Sequence, residues 1–275
     1  MTEQVFSLLR FEVRIETNCR TVGLYLKDIL PAARDEGPAS ASLRFQVLKE
    51  KDRYVVLSEN EPVVACRDPE WTAVYLHQLI NQRVCSSMPP HLMIHCGSGT
   101  MNGRKFLLCG EKGAGKTTLL CRLLHEGVAV HADEIVLLCG DRAIPFPRKF
   151  HVKENSLALL PQLKQAFHKM RLYPAFSGGR FYFFAPSDAG FDWDLPDGPA
   201  DTIFYLEADR SRPSRIVACS KSAMVRKIMC QTFNFERNAG AQMRLLCRTV
   251  DAAQCYDVYM NNLEDAVEKL KKTFS

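Results

Sequence analysis

The sequence predicts an α/β fold: a phosphate-loop core with a mixed sheet, preceded by a small β-rich region. Three observations predict it. Residues 9–15 alternate apolar and polar side chains, as a strand with one wet face does. Residues 110–117 read Gly-Glu-Lys-Gly-Ala-Gly-Lys-Thr, the GxxxxGK[ST] pattern, with an apolar run before it and a helical run after it. Strand-like and helix-like runs then alternate toward residue 275.

The first part spans residues 1–88. In the alternating stretch, Leu9, Phe11, Val13 and Ile15 stand against Arg10, Glu12 and Arg14. Strand-like runs follow at 44–48, 54–58 and 63–66, and the charged residues 49–53 join the first two as a hairpin connection. Asp68-Pro69 starts a helix, with a capping carboxylate and a proline at the first helical position. Trp71, Val74, Tyr75 and Leu79 form its stripe to about Arg83. The expectation is an antiparallel sheet followed by a helix.

The second part spans residues 89–275. His91–Cys96 and Lys105–Cys109 read as strands joined through Asn102-Gly103, a strong hairpin signal. Residues 116–126 read as a helix stopped by Gly127. Val128–Val130 and Ile135–Cys139 read as strands. A right-handed crossover is expected to return the first of these beside the strand that feeds the loop. Asn238–Thr249 and Leu263–Lys272 read as helices around a strand at Tyr256–Met260.

Composition excludes several classes. The chain of 275 residues is 47% hydrophobic and 24% charged, a globular balance, and its net charge of +5 is too mild to argue for nucleic acid. No run approaches the ~18 apolar residues of a membrane span, and the N-terminus does not read as an export signal. The expectation is a cytoplasmic protein with reduced cysteines, bound to neither membrane nor nucleic acid. His91 and His95 are spaced i, i+4 but lie in an apolar, strand-like stretch, which does not read as a zinc site. Charge is uneven: residues 142–180 hold eight Lys/Arg and one acid, and residues 181–209 hold seven acids and no Lys or Arg. The basic stretch is a candidate substrate surface.

The chemistry sits at 110–117. Gly110, Gly113 and Gly115 let the backbone turn its N–H groups inward, joined by Glu111, Lys112, Ala114 and Thr118 in a candidate nucleotide cradle. Lys116 can reach terminal phosphates, and the Thr117 hydroxyl can ligate Mg²⁺. Asp133-Glu134 follows seventeen residues after Lys116, past a helix and a short strand. Adjacent carboxylates at the carboxyl end of such a strand can hold Mg²⁺ or take a proton from an attacking hydroxyl. Phe176–Arg180 reads FSGGR but follows the acidic pair, the wrong order for an ABC-type ATPase, so Ser177-Gly178-Gly179 reads as a loop. The guanine-reading NKxD of a GTPase is absent.

Together these residues resemble the catalytic domain of HPr kinase/phosphorylase over roughly residues 91–140. That family has a histidine fifteen residues before the first loop glycine, where His95 stands, and an Asp pair where Asp133-Glu134 stands. The chain departs from the family in Glu134, in Lys-Thr-Thr after the last loop glycine, and in Pro-Phe-Pro-Arg-Lys-Phe-His at 145–151. The last segment resembles related proteins found beside peptide-modifying gene clusters. The resemblance implies ATP and Mg²⁺ as cofactors and transfer of the γ-phosphate to a hydroxyl, a serine by expectation, of a peptide or small protein. It implies Asp133 as general base, with His95 and Lys116 at the phosphates. Thr117 would hold the metal, helped by Glu134 or Asp133, and by their own chemistry Arg148 and Lys149 are candidates to contact phosphate or an acidic substrate tail, as a bidentate donor and a point charge. It also suggests a homo-oligomer. Two other readings stay open: a nucleotide-binding regulatory or scaffold protein without transfer activity, and a kinase of free serine or another small hydroxyl compound.

Overall fold

The computed structural model describes residues 1–31, 39–88, 91–176 and 178–274. The chain forms two compact units, Met1–Pro89 with Met170–Phe183, and Pro90–Lys169 with Phe184–Ser275. Residues 170–183 thus cluster with the N-terminal part and not with the chain around them.

The first unit opens with β1 (Thr2–Leu8), β2 (Phe11–Thr17), α1 (Arg20–Ile29), β3 (Ala41–Glu50), β4 (Arg53–Ser58), β5 (Glu61–Cys66) and α2 (Pro69–Ser87). The second begins with β6 (Leu92–Ile94), β7 (Cys96–Met101), β8 (Arg104–Gly110), α3 (Lys116–His125) and β9 (Ala129–Ala132). It continues with β10 (Val136–Cys139), β11 (Arg142–Pro145), β12 (Phe150–Lys153) and α4 (Lys164–Phe167). The hairpin of β13 (Leu172–Pro174) and β14 (Arg180–Phe184) follows. Then come β15 (Thr202–Ala208), β16 (Arg215–Ala218), α5 (Lys221–Met229), α6 (Ala239–Ala252), β17 (Gln254–Met260) and α7 (Leu263–Thr273).

In the first unit the sheet order is β1-β2-β3-β4-β5. The expected strand at 9–15 is in fact the turn of a hairpin plus most of β2. Leu9 and Arg10 form a tight turn at φ +49° and +64°. Neither is a glycine or asparagine, so the turn leaves no signal and the alternation runs on through it. The sheet is also mixed where antiparallel pairing was expected. β2 and β3 are parallel, and α1 is the crossover between them. Val22, Leu26 and Ile29 bury the inner face of α1. The sequence reading missed this helix although Val22, Leu26 and Ile29 recur at helical spacing; Cys19, at its N-cap, provides no side-chain cap to mark its start. α2 has the expected cap, with the Trp71 N–H donating to Asp68 Oδ1 at 2.9 Å. The β13–β14 hairpin adds Tyr173 to this unit, 1% exposed, its hydroxyl donating to Asp28 Oδ2 at 3.0 Å. Gly178 and Gly179 turn that hairpin at positive φ, and Ser177 lies outside the described residues.

The second unit holds the sheet β16-β17-β15-β8-β7-β9 and a smaller sheet, β11-β10-β6. β8, β15 and β17 are parallel, whereas β7 and β8 form the hairpin expected at Asn102-Gly103. β9 pairs with β7, so β7 stands between it and the strand that feeds the loop. The expected direct neighbourhood of those two strands is corrected: the β7–β8 hairpin occupies that edge of β8. One face of the large sheet buries Leu107, Cys109, Ile203 and Cys255 against Met224, Ile228, Leu246 and Val250 of α5 and α6. Elsewhere in the sheet Phe106 and Phe204 meet Phe274, just past α7. α7 also clamps α3: Arg122 Nε and NH2 donate to both Glu264 oxygens at 2.8 and 2.6 Å, and NH1 to Glu126 at 2.5 Å.

Two junctions connect these sheets. The chain leaves β6 in the small sheet and enters β7 in the large one through His95. It leaves β9 in the large sheet and enters β10 in the small one through residues 133–135. Ile94 pairs with Val136 and Ser98 with Ala132 in one continuing antiparallel register, so the two junctions lie side by side. Among the described residues no helix is long and apolar enough to cross a membrane.

Candidate functional site

β8 feeds the glycine-rich loop and α3 leaves it. Gly110 has φ +152°, and a Cβ there would stand 2.6 Å from the Leu206 carbonyl oxygen of neighbouring β15. Gly115 has φ +99°, and its Cβ would meet Met260 Cε at 2.7 Å. Both positions favour glycine by backbone conformation, and Gly110 also for space, since its neighbour is backbone whereas the Met260 side chain can move. Gly115 is the N-cap of α3 and offers no capping side chain. The N–H groups of the first helical turn therefore stay available to an anion. Glu111 and Lys112 are exposed on the loop, whereas Ala114 and Thr118 are buried.

Lys116 is buried, and its Nζ donates to the carbonyls of Gly110 at 2.7 Å and Glu111 at 3.1 Å. The ammonium fills the curl of the loop. Burial lowers its pKa, and Asp133 is the foremost charge opposing that. The Thr117 hydroxyl donates to Asp133 Oδ2 at 3.0 Å. Asp133 is 2% exposed, and its Oδ1 is buried without a hydrogen-bond partner. Burial foremost, and then the charge of Glu134, raise the Asp133 pKa.

Glu134 has the opposite environment. Arg148 NH1 reaches its Oε2 at 2.9 Å, and His151 Nδ1 lies 3.6 Å from its Oε1. Burial works against its charge, but Arg148 foremost, then His151, His95 and Lys116, hold its carboxyl below the usual range. Burial and Arg148 push His151 down to about 3, so its imidazole is neutral. Two adjacent carboxylates are thereby driven apart, one toward the protonated form and one toward the ionised form. Acid–base sites are recognised by that pattern.

His95 was expected on the strand paired with β8. It stands instead in the junction just before that strand. Its backbone N–H donates to the Gln231 carbonyl at 2.7 Å, and its ring lies 5.7 Å from that of Phe233. Burial foremost, then Lys116, lower its pKa against the pull of Glu134. Its ring therefore senses both the loop lysine and Glu134.

The fold thus brings Lys116, Thr117, Asp133, Glu134 and His95 together. Arg148 and Lys149, the expected substrate contacts, each have an acidic partner. Arg148 bridges Glu134, and Lys149 Nζ lies 3.5 Å from Asp188. The basic stretch is divided between the two units, and several of its charges have acidic partners within their own unit. Arg142 pairs with Asp197, and Arg171 and Arg180 lie in the first unit at 3.5 and 3.6 Å from Glu70. The basic and acidic blocks partly neutralise each other through Arg142–Asp197 and Lys149–Asp188. Sequence reasoning missed His151 and the Gln231–Asn234 segment over His95. His151 closes the Pro-Phe-Pro-Arg-Lys-Phe-His segment and could have been suspected; the later segment carries no local signal.

Magnesium and a nucleoside triphosphate can be tested against these residues. The donors are hard oxygens, the Thr117 hydroxyl and Asp133, whose second oxygen is buried without a partner. Among the described residues no group of three or more His, Cys, Asp or Glu is placed to hold a metal. Mg²⁺ does not need one, since it commonly takes one or two protein oxygens together with substrate phosphates and water. The set fits Mg²⁺ bound with a phosphate ligand. Glu134 fits it less directly, because Arg148 already occupies its charge.

No protein-family model matches the chain, and no curated protein matches it in sequence. Among solved structures that resemble it is the Hpr(Ser) kinase/phosphatase from Coxiella burnetii, at TM-score 0.32 and 10% identity, over 66% of this chain and 96% of that one. So low a superposition score supports no residue assignment.

Proposed function

We propose that this chain is an ATP-dependent kinase that transfers the γ-phosphate to a hydroxyl, a serine in the first instance, of a peptide or small protein. One observation carries the reading: a glycine-rich loop holding Lys116 and Thr117 lies against a buried carboxylate, Asp133, whose pKa is raised. A loop that only bound nucleotide would have no use for a positioned base of raised pKa. When bound, Mg·ATP supplies the transferable phosphoryl group and neutralises its charge. Thr117 would hold the metal side of it, leaving Asp133 to handle the proton.

The chain's own residues divide the remaining work. The loop amides and Lys116 hold phosphate oxygens, and Lys116 exchanges two carbonyl partners for them. Asp133, ionised, accepts the proton of the acceptor hydroxyl. Glu134, kept charged by Arg148, raises the pKa of Asp133 and so strengthens it as a base. Neutral His95 lines the phosphates without adding a charge.

The Glu134–Arg148 ion pair also favours a second reading, a nucleotide-binding regulatory protein, because it ties up one of the two carboxylates. One experiment separates them. Purified protein is incubated with Mg²⁺ and γ-labelled ATP, alone and with serine peptides or cell extract. Transfer of label that disappears in Lys116→Ala, and falls about 100-fold or more in Asp133→Asn with nucleotide binding retained, supports the kinase. Tight nucleotide binding with no transfer to any acceptor, and no response to Asp133→Asn, supports the regulatory protein.

A further inference from the structure

Phe233 is 57% exposed, a large aromatic turned outward on a segment that is otherwise half-buried. The segment is firmly held. Its Phe233 N–H donates to the Met93 carbonyl at 3.1 Å, and the Gln231 carbonyl accepts from the His95 N–H at 2.7 Å. Asn234 accepts from the Met93 N–H at 2.9 Å and donates to the His91 carbonyl at 3.0 Å. Thr232 bridges Ile94, and Phe235 packs into the core. These bonds fix the backbone on either side of the ring, so its exposure is built in and not the result of a loose loop.

The ring stands at one particular place. It lies 5.7 Å from the His95 ring, and His95 senses Lys116, Glu134 and Arg148. The junction that holds His95 runs in register beside the one that carries Asp133 and Glu134, so Phe233 borders the side of the site where the proposed base would meet an acceptor hydroxyl. Phosphate oxygens gain nothing from an apolar ring. An apolar side chain close to the acceptor hydroxyl does gain, because each would remove the other from water.

We propose that Phe233 is an acceptor-contacting residue of this site, and that it selects peptides carrying an apolar side chain next to the hydroxyl to be phosphorylated. The proposal rests on the phosphotransfer reading and names its substrate class. It assigns the same ring no role toward the nucleotide.

The test has a readout that does not need turnover. In Phe233→Trp, the introduced indole is followed by fluorescence, with wild type subtracted for Trp71 and Trp193. It is titrated with Mg·ATP and with two serine-peptide pools at about 1 mM, high enough to reveal weak binding. One pool has Leu, Ile or Phe beside the serine, the other Lys or Glu. The expected result is a blue shift with the apolar-flanked pool alone. In label transfer, Phe233→Ala should raise KM for that pool about tenfold or more with little change in kcat, and Phe233→Leu should restore most of it. A shift caused by Mg·ATP alone, by both pools equally, or by neither overturns the proposal. A shift with the apolar-flanked pool and no label transfer in wild type overturns the phosphotransfer reading and keeps the contact.

Discussion

At Asp133, burial and a neighbouring carboxylate both oppose ionisation, and the consequences can be measured in two ways. The folded chain holds this proton at pH values where the unfolded chain has released it. Stability therefore falls as pH rises from the ordinary carboxylate range through the raised pKa of Asp133. Asp133→Asn removes that slope, and calorimetry above the transition should show a higher Tm, by about 2–4 °C for each kcal/mol recovered. If Asp133 is the base, transfer rates fall with acid along a limb displaced above the usual carboxylate range. A limb at the ordinary position would remove Asp133 from that role. Gly110 makes a second residue-scale prediction. Gly110→Ala forces a Cβ to 2.6 Å from a backbone oxygen at φ +152°. It should cost about 1–3 kcal/mol of backbone strain and abolish nucleotide binding, as read by denaturant melts and calorimetric titration.

Among the elements, α3 carries Lys116 and Thr117 and must be held in place. Arg122 does so by reaching Glu264 on α7 with two bonds and Glu126 with a third. Lys271 completes the network on Glu126, and it is the foremost group, ahead of Arg122, that lowers the Glu126 pKa to about 2. The partners are partly solvated, so the clamp is worth less than a buried pair. Arg122→Ala should destabilise by about 1–2 kcal/mol and weaken nucleotide affinity, with the loss reduced at high salt. The sign with pH is fixed by Glu126: its contribution is present above the unfolded carboxylate pKa and lost as pH falls through the depressed folded one. An Arg122→Ala melt identical to wild type would show that α7 is not what positions α3.

Across the whole molecule, the first unit takes a hairpin from a distant part of the chain, and that borrowing is testable. Tyr173 is buried there against Tyr25 and Phe183, with its hydroxyl on Asp28. Tyr173→Ala should destabilise this unit by about 3–5 kcal/mol, which hydrogen exchange would read as faster exchange in β1–β5 than in wild type. Nucleotide affinity, which belongs to the second unit, should remain. Residues 142–180 supply charges to both units, so a run that is continuous in the sequence is shared between two folded bodies.

By itself the sequence determined the local features of this protein. Asp68 predicts the start of α2, Asn102-Gly103 the β7–β8 hairpin, Gly127 the end of α3, and the loop motif the cradle between β8 and α3. Each depends on a propensity or a φ requirement expressed within a few residues. The Leu9-Arg10 turn escaped because its residues have no such preference, whereas α1 was missed despite the helical spacing of Val22, Leu26 and Ile29, its start unmarked by a capping side chain. Only the tertiary structure decided what the site residues face. His95 stands beside the segment that carries Asp133 and Glu134 because two sheet-to-sheet junctions lie in one register. Arg148 turns to Glu134, and Phe233 covers His95, through pairings between distant parts of the chain. The protonation tendencies of the acidic pair follow from burial and from those long-range charges, quantities that exist only once the chain has folded.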